Sequence, residues 1–294
     1  MKKILITGAN SYIGTSFEKY LTQWPEEYRV DTIDMMDVGW REMNFSGYDS
    51  VFHVAGIAHQ DSGKITDERK QQYFNVNTDL TVETANKAKA EGVRQFIFMS
   101  SIIVYGASAK LGQTKVITED IKPAPSGAYG MSKLKAEGGI LSLNDDSFHV
   151  CILRPPMIYG PGCKGNYTLL RKAALNLPFF PSIQNERSIL FIENLCAFVK
   201  AAIDESFLGI YLPQNIEYVS TSEMVRQIAF LHGKKMKMTI VFNPLLRLLS
   251  GKVRIVDKVF GNLVYEPSVT KTNNTISQIT LEETIRITEG VGSA

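Results

Sequence analysis

The stretch Thr7-Gly8-Ala9-Asn10-Ser11-Tyr12-Ile13-Gly14 is the most informative about the fold, because it joins a short apolar run to a segment of helical periodicity. The apolar run stops at Gly8 and the helical pattern starts at Tyr12, which predicts a strand, a glycine turn and a helix. Gly8 permits a tight turn, Gly14 permits close packing of helix on strand, and the helix amino terminus offers N–H groups to a pyrophosphate. Ser11 replaces the middle glycine of a GxxGxxG pattern, so a plain structural turn is the competing interpretation.

Outward from this stretch, apolar runs alternate with helical patterns. Further apolar runs end at 33–34 or occupy 50–54, 95–100 and 148–153, and helical patterns occupy 73–91 and 130–141. Continuous apolar runs are typical of strands buried on both faces. Their alternation with helices predicts an α/β fold with a Rossmann-type doubly wound parallel sheet.

The regular alternation ends after Arg154, where prolines interrupt the chain. We therefore expect a dinucleotide-binding Rossmann domain at 1–156, to which 188–214 returns, and a smaller C-terminal substrate-binding lobe made of 157–187 and 215–294. Later elements predicted from the same patterns are a strand at 210–212, a helix at 222–231 and a last short helix behind a capping box of Thr280 and Glu283.

The composition is that of a globular protein with a large core. The chain has 294 residues, of which 44% are hydrophobic and 21% charged, and its formal net charge is +2. A charge this small leaves no electrostatic footprint for nucleic acid. An anionic ligand must therefore be bound by local groups.

The number of cysteines and the length of the apolar runs indicate the cellular compartment of the protein. Cys151, Cys163 and Cys196 have neither the even number of a disulfide framework nor the close spacing of a metal site, so no metal is expected. No signal-peptide apolar region is apparent, and no apolar run approaches the roughly 18 residues of a membrane span. We expect a cytoplasmic protein, and we interpret the basic cluster at 234–237 as a solvated turn.

Asp34 lies at the end of the second predicted strand, about 20 residues after Gly14. An acid at this position accepts hydrogen bonds from the ribose hydroxyls of NAD and repels the 2′-phosphate of NADP. No Lys or Arg lies between Val30 and Gly39 to receive that phosphate. NAD is therefore favoured over NADP, and the alternative is a surface acid in a turn.

Tyr129 and Lys133 stand four residues apart at the start of a predicted helix, so both side chains project from one face. A lysine ammonium beside a phenol stabilises phenolate, which would draw the pKa of Tyr129 from about 10 toward neutral and make it a general acid or base. The spacing occurs by chance in many chains. Ser100 and Ser101 support a catalytic interpretation of the pair, because they end the fourth predicted strand at the edge of the sheet where ligands bind. Ser101 is expected to contact the same substrate oxygen as Tyr129.

Seven motifs follow one another in an order that resembles a known family. They are TGANSYIG at 7–14, FHVAG at 52–56, NVNTDLT at 75–81, MSSIIVYG at 99–106, YGMSK at 129–133, RPPMIYGPG at 154–162 and NERSILFIENL at 185–195. The sequence is similar to the extended short-chain dehydrogenases/reductases, in the NAD-dependent epimerase/dehydratase group that modifies nucleotide-activated sugars. The resemblance covers nearly the whole chain.

The resemblance implies roles for individual residues. Ser101, Tyr129 and Lys133 would be the catalytic triad, with Lys133 also holding the nicotinamide ribose. Asn166 and Arg187 match positions that hold the nucleotide diphosphate of the substrate. The residues expected around NAD are Gly8, Asn10, Ser11, Tyr12, Ile13, Gly14, Asp34, Val54, Ala55, Gly56, Asn77, Tyr129, Lys133 and Pro156.

Arg187 also has an independent physical rationale, because a guanidinium can engage two diphosphate oxygens where net charge offers little. A surface ion pair is its alternative. We interpret His53 as a core or cofactor-wall residue, and His59 as a solvated loop residue that could approach the sugar.

The implied activity is hydride transfer at C4 of a UDP-linked hexose or N-acetylhexosamine. A dehydratase is disfavoured, since Ile102 and Ile103 follow Ser101 where those relatives carry an acidic pair. Only 15 residues, 35–49, separate the second and third strands, which leaves room for a loop but scarcely for a crossover helix. Less protein would then cover the adenosine, so the cofactor should exchange, and this favours a 4-ketoreductase over a 4-epimerase that retains NAD.

Two alternatives from other classes stay open. A non-catalytic NAD(P)-binding regulator could use the same fold, although such proteins usually lose Tyr or Lys of the Tyr-x-x-x-Lys pair. An oxidoreductase for a non-nucleotide carbonyl is disfavoured by Asn166 and Arg187. A homodimer is one assembly open to the chain.

Overall fold

A computed structural model of the protein describes residues 1–57, 65–270 and 279–291. The strands are β1 (Lys2–Thr7), β2 (Tyr28–Ile33), β3 (Ser50–His53), β4 (Gln95–Met99), β5 (Val116–Ile117), β6 (His149–Leu153), β7 (Met157–Tyr159), β8 (Phe179–Pro181), β9 (Ile189–Phe191), β10 (Gly209–Tyr211), β11 (Lys237–Thr239) and β12 (Val264–Tyr265). The α-helices are α1 (Tyr12–Leu21), α2 (Asp67–Phe74), α3 (Leu80–Ala90), α4 (Ala128–Leu141), α5 (Asn166–Asn176), α6 (Ile192–Asp204), α7 (Thr221–Leu231), α8 (Asn243–Leu249), α9 (Arg254–Phe260) and α10 (Leu281–Glu289).

The chain forms two compact units, which we call the first unit and the second unit. The first unit comprises Met1–Gly106, Lys122–Pro155 and Leu195–Pro213, and the second comprises Ala107–Ile121, Pro156–Asn194 and Gln214–Ala294. The segment 107–121, expected in the Rossmann domain, belongs to the second unit because β5 pairs there with β12. The segment that returns to the first unit was expected at 188–214 and is Leu195–Pro213 in the structure. It starts later because β9 pairs with β7 of the second unit.

The first unit confirms the predicted α/β fold with a parallel central sheet. Its six strands lie in the order β10-β6-β4-β3-β1-β2, and every neighbouring pair is parallel. Strands β1, β3, β4 and β6 are almost entirely buried, as the continuous apolar runs predict. The chain moves outward from β1 to β2 and then in the opposite direction from β3. The switch point between β1 and β3 is where open α/β sheets bind ligands.

The connection from β2 to β3 confirms the prediction of a loop without a crossover helix. It holds a single 3-10 turn, Val38–Arg41, in which the Asp37 side chain accepts the Gly39 N–H. Trp40 and Phe45 from this connection are buried in the core beside the sheet. Two aromatic anchors therefore replace the helix that would otherwise cover this face.

The helical segment predicted at 73–91 is broken in the structure into α2, a π-helical turn at Asn75–Asp79, and α3. Such turns insert one residue into the helical repeat and are frequent at functional sites. The turn buries the Asn77 side chain completely. Apolar periodicity does not reveal the insertion, because the apolar positions on either side still fit a helix.

The second unit consists of short helices and three two-stranded parallel pairs, β5 with β12, β7 with β9 and β8 with β11. Thr280 is the N-cap of α10, since its Oγ1 accepts the backbone N–H of Glu283 at 3.3 Å, which is one of the two hydrogen bonds of the predicted capping box. Across the described residues no helix has the length and apolar content needed to cross a membrane, and no cluster of metal-ligating side chains occurs there.

Candidate active site

The glycine turn lies at the switch point, against the backbone that follows β3. Gly8 has φ +100°, and a Cβ added to it would stand 2.8 Å from the Ala55 backbone nitrogen. The Val54 N–H donates to the Thr7 carbonyl at 3.1 Å, which joins the ends of β1 and β3. A close approach of this kind admits only glycine. The turn therefore has the shape that a dinucleotide pyrophosphate requires.

Helix α1 begins directly behind the turn, with Tyr12 and Ile13 as its first residues. Ser11 caps the helix, because its Oγ accepts the Gly14 N–H at 3.1 Å. Asn10 has φ +64°, a left-handed conformation that asparagine tolerates better than most residues. A Cβ on Gly14 would meet the Ser11 Oγ at 2.7 Å and Ile6 at 3.2 Å, as expected of a glycine that allows helix and strand to pack closely.

Asp34 lies beside the turn. The Gly8 and Ala9 N–H groups both donate to the carbonyl of Ile33, at 2.9 and 3.0 Å, which ties the turn to the end of β2. The Asp34 side chain is exposed and accepts the Met36 N–H at 2.9 Å. One carboxylate oxygen thus fixes the loop, and the exposed carboxylate can still accept hydrogen bonds from a ligand.

Gly56, Asn77 and Lys133 form a tightly packed group after β3. A Cβ on Gly56 would stand 2.9 Å from Asn77 Oδ1 and 3.2 Å from Lys133 Nζ. Asn77 also binds the backbone of Ile57 in both directions, accepting its N–H at 2.8 Å and donating to its carbonyl at 3.2 Å. Its amide donates further to Ser132 Oγ at 3.2 Å. The π-helical turn thus links the loop after β3 to the first turns of α4.

Ser101 and Tyr129 are brought together as expected. Ser101 caps the 3-10 turn after β4, and a hydrogen bond between its side chain and Tyr129 lowers the pKa of the phenol. Burial has the larger, opposite effect and raises the pKa of Tyr129 to about 12. The Tyr73 ring packs edge-on against the Tyr129 ring, with ring centroids 5.8 Å apart. The phenol is therefore neutral at pH 7.

The Lys133 ammonium is bound at the end of β4, and its effect on the pKa of Tyr129 stays a prediction. The Lys133 ammonium donates to the Met99 carbonyl at 2.9 Å and lies 4.7 Å from the centre of the Phe98 ring. Burial lowers the pKa of Lys133 to about 8, although Glu137 raises it. A backbone carbonyl of β4 thus holds the ammonium on the same helix that carries Tyr129.

A buried ion pair lies one helical turn beyond Lys133 and was missed in the sequence. Arg154 donates from Nε to Glu137 Oε1 at 3.0 Å and from Nη2 to Oε2 at 2.5 Å, and both side chains are buried. Arg154 Nη1 donates to the Tyr105 hydroxyl at 2.7 Å, and Ser100 donates to Glu137. The spacing of Glu137 four residues after Lys133 was the available signal.

His53 is a core residue, as interpreted. Burial lowers its pKa to about 3, so the ring is neutral. Thr81 Oγ1 donates to the Asn77 carbonyl and lies 3.0 Å from His53 Nε2, so Nε2 is the donor to Thr81. Nδ1 then accepts the Thr7 hydroxyl at 2.7 Å. His59 lies outside the described residues.

The second unit has its own cavity of about 60 Å³, to which Asn166 and Arg187 both contribute. Asn166 is the first residue of α5. The remaining lining is mainly apolar: Met157, Leu169, Leu170, Val219, Thr221, Met224, Ile255, Lys258 and Val259. Lys258 is a second cation there, which the sequence motifs did not indicate. Pro156 is buried at the start of this unit.

Among the described residues, Arg187 is bound only by neutral oxygens. Its Nη1 donates to the carbonyls of Lys258 and Gly261, both at 3.0 Å, and to Ser108 Oγ at 3.4 Å. Within the described residues no carboxylate pairs with it. Burial lowers its pKa to about 10, so it remains cationic at pH 7. The predicted alternative of a surface ion pair is therefore wrong, and the cavity contains a positive charge that an anion could neutralise.

The sheet, the glycine turn and the helix with Tyr129 and Lys133 define a Rossmann-type α/β protein of the dehydrogenase/reductase kind. The sequence profile of the NAD dependent epimerase/dehydratase family matches residues 4–209, and the chain belongs to this family.

Three known proteins are informative neighbours. A UDP-glucose 4-epimerase of Vibrio cholerae is 33% identical over 298 residues, which cover 92% of this chain and 89% of that protein. The structure of a Bacillus cereus UDP-glucuronic acid 4-epimerase in complex with NAD superposes with TM-score 0.73 at 18% identity, covering 98% of this chain and 96% of that one. A Bacillus anthracis str. Ames dTDP-4-dehydrorhamnose reductase in complex with NADP gives TM-score 0.73 at 17% identity, covering 98% and 99%. The two structures show a shared fold.

Proposed function

We propose that the protein is an NAD-dependent enzyme that acts at C4 of a UDP-linked hexose or N-acetylhexosamine, with 4-epimerisation as its reaction. The observation that carries the proposal is the hydrogen-bonded pair of Ser101 and Tyr129 at the carboxyl end of β4, where Lys133 also donates to the Met99 carbonyl. The identity of 33% with the Vibrio cholerae UDP-glucose 4-epimerase supports the choice of substrate class and reaction.

The residues around the switch point fit a dinucleotide. The glycine turn at Gly8 and the amino terminus of α1 would receive the pyrophosphate, with Asn10 and Ser11 in the turn. Asp34 would accept the adenosine ribose hydroxyls, and Val54, Ala55, Gly56 and Asn77 would line the cofactor, with Pro156 near its nicotinamide. When bound, the nicotinamide supplies a site that accepts and returns hydride.

Tyr129 would move the proton. Its neutral phenol donates a proton to a C4 ketone oxygen, and Ser101 holds that oxygen by a hydrogen bond. In the opposite direction the phenolate accepts the proton of the C4 hydroxyl. The buried Lys133 ammonium is the charge that would stabilise this phenolate, by turning from the Met99 carbonyl toward Tyr129.

Arg187 and Asn166 would hold the diphosphate of the substrate. A guanidinium already desolvated and positioned by two carbonyls binds a phosphate with little further ordering. This pair supports a nucleotide-linked substrate over a simple carbonyl compound.

A 4-ketoreductase is the second candidate, and the short connection after β2 favours it. Met36 is 92% exposed and Val38 is 79% exposed, so little protein lies over the chain next to Asp34. A cofactor covered so lightly would exchange between turnovers, which a reductase needs and an epimerase does not.

The test is to purify the protein, dialyse it extensively, and incubate it with UDP-glucose and UDP-N-acetylglucosamine without added cofactor. An epimerase retains near-stoichiometric NAD and interconverts the C4 epimers. Consumption of added NADH only with a UDP-4-keto sugar would assign the reductase. Bound NAD without turnover of any such substrate would assign the non-catalytic regulator.

The variant Tyr129→Phe tests the proton carrier. We expect turnover to fall by roughly 10²-fold or more, with NAD binding nearly intact, because the proton is lost from the site while the ring packing remains. The control is Tyr73→Phe, which removes the neighbouring phenol whose ring lies 5.8 Å away. Unchanged turnover in Tyr129→Phe, or an equal loss in Tyr73→Phe, would remove Tyr129 from this role.

The variant Asp34→Ala tests the cofactor preference. The wild type should bind NADH more tightly than NADPH in a fluorescence titration, because a carboxylate and a 2′-phosphate repel each other. The substitution should narrow that difference by about tenfold. Tighter binding of NADPH by the wild type contradicts the assignment of Asp34.

A further inference from the structure

The segment Ile240–Ile255, which we call the 240–255 surface, exposes an unusual amount of apolar area. It carries seven of the 22 large hydrophobic side chains exposed among the described residues, in only 16 positions. Ile240 and Val241 are 70% and 75% exposed, and Leu245 and Leu248 are 53% and 64% exposed. Helix α8 has no buried residue at all.

Positive charge is concentrated in the 240–255 surface and in the residues just before it, 234–239. Residues 234–256 contain six Lys and Arg and no Asp or Glu, while the whole chain has a net charge of only +2. Arg247, Lys252 and Arg254 are exposed, and among the described residues no ion pair neutralises them. The remainder of the chain is therefore net acidic, and this segment is its basic pole.

The 240–255 surface is anchored to the second unit at both ends. Phe242 stacks on Phe179 with ring centroids 5.4 Å apart, and the Asn243 amide donates to the Ser182 carbonyl at 2.9 Å. At the other end Asp257 accepts the Ser250 hydroxyl at 2.5 Å and the Gly251 N–H at 2.7 Å. The exposed leucines of α8 thus belong to a fixed projection.

We propose that the 240–255 surface binds an anionic membrane surface, with its apolar side chains among the lipid headgroups and acyl boundary and its cations against lipid phosphates. Exposed Leu, Ile, Val and Phe beside Lys and Arg on short helices are the composition of segments that lie in a membrane interface. Each cation near an anionic leaflet adds to the attraction.

The positive charge of the 240–255 surface favours an anionic membrane over a second copy of the chain as its partner. A symmetric contact would place Arg247, Lys252 and Arg254 of two copies face to face with no acid in 234–256 to pair with them. A nucleic acid would match the charge, but it would leave the aliphatic side chains without a partner. A lipid surface satisfies both features.

Helix α9 connects the 240–255 surface to the cavity that contains Arg187. Ile255 ends the 240–255 surface and also lines the cavity that contains Arg187, and Lys258 follows one turn later on the same helix. A membrane bound at this surface therefore lies next to the wall of the proposed diphosphate site. This consequence rests on the proposed function, whereas the binding itself does not.

The experiment is co-sedimentation of the full chain with vesicles of equal parts phosphatidylglycerol and phosphatidylcholine, and with pure phosphatidylcholine. We expect binding to the anionic vesicles that weakens as salt is raised. Arg247→Gln/Lys252→Gln should lower the partition coefficient by about 30-fold, and Leu245→Gln/Leu248→Gln by about tenfold or more. Matched controls are Lys19→Gln/Lys122→Gln and Leu208→Gln/Ile216→Gln, exposed residues outside the surface that should leave binding unchanged.

Absence of binding to anionic vesicles at low salt would overturn the proposal. Equal losses in the control variants would also overturn it, because general charge or hydrophobicity would then explain the binding. If Leu245→Gln/Leu248→Gln instead converts a dimer to a monomer and leaves vesicle binding intact, the surface is a contact between copies. Turnover in solution, measured on every variant, keeps this outcome separate from failure of the proposed function.

Discussion

Arg154 of the first unit is buried and Arg187 of the second is partly buried, and their surroundings differ. Burial lowers the pKa of Arg154, but hydrogen bonds and charge from Glu137 outweigh it, so the net pKa is raised. For Arg187 burial is the single influence, and it lowers the pKa to about 10. Arg154 is neutralised by a carboxylate, whereas within the described part of the chain Arg187 is held only by carbonyls and a hydroxyl.

The difference separates a structural charge from a binding charge. Breaking a buried ion pair leaves its partner uncompensated, so each member is needed for folding. A cation desolvated without a carboxylate destabilises its own site and gains most when an anion arrives. We therefore expect Arg154 to affect stability and Arg187 to affect ligand affinity.

The largest effect should come from Arg154→Met. We expect the free energy of unfolding in urea to fall by about 3–5 kcal/mol, because Glu137 would be left buried without its partner. The double variant Glu137→Leu/Arg154→Met should recover much of the loss, since it removes both charges. If the free energy of unfolding of Arg154→Met falls by less than about 1 kcal/mol, Arg154 is not a structural charge, and the distinction from Arg187 fails.

The intermediate effect should come from Arg187→Met. We expect the KM for a UDP-sugar to rise by about 10- to 100-fold, since a charge-assisted contact to phosphate is lost. The stability loss should be only about 1 kcal/mol, because removal of the desolvated charge offsets much of the lost hydrogen bonding. Thermal unfolding with and without UDP provides the second measurement. UDP should stabilise the wild type and not the variant, and an equal shift in both would contradict the role of Arg187.

The smallest effect should come from Lys133. This buried cation is bound by a carbonyl, as Arg187 is, and its pKa is also influenced by Glu137, the partner of Arg154. Its pKa is lowered to about 8, below the unfolded value of about 10.5, so between these pH values the unfolded state binds the extra proton. The free energy of unfolding of the wild type should therefore rise with pH over this window, relative to Lys133→Met, by of order 1 kcal/mol or more.

The control for Lys133 is the exposed Lys135 on the same helix. Urea unfolding at pH 7.5, 9 and 10 should show no such pH-dependent difference between the wild type and Lys135→Met. If the difference in free energy of unfolding between the wild type and Lys133→Met is also independent of pH, the Lys133 ammonium is solvated, and Lys133 is not a buried cation.

Much of the fold was predictable from local patterns. The glycine turn, the helix that starts at Tyr12 and the loop after β2 depend on residues close together in sequence, so spacing and turn chemistry are sufficient. The proximity of Ser101 to Tyr129 was also predictable, because the edge of a parallel sheet gathers the ends of its strands. The π-helical turn that buries Asn77 was not, since its apolar periodicity is that of an ordinary helix.

The sequence by itself determined the order of the main strands and helices of the first unit, the placement of Tyr129 and Lys133 on one helix, and the acid at the end of β2. These follow from repeats of two and 3.6 residues and from backbone rules that act over a few positions. The tertiary structure alone decided which buried charges are paired and which part of the chain belongs to which unit. Arg154 meets Tyr105 across 49 positions and Arg187 meets Gly261 across 74, and the surroundings that desolvate or neutralise a charge come from such distant segments.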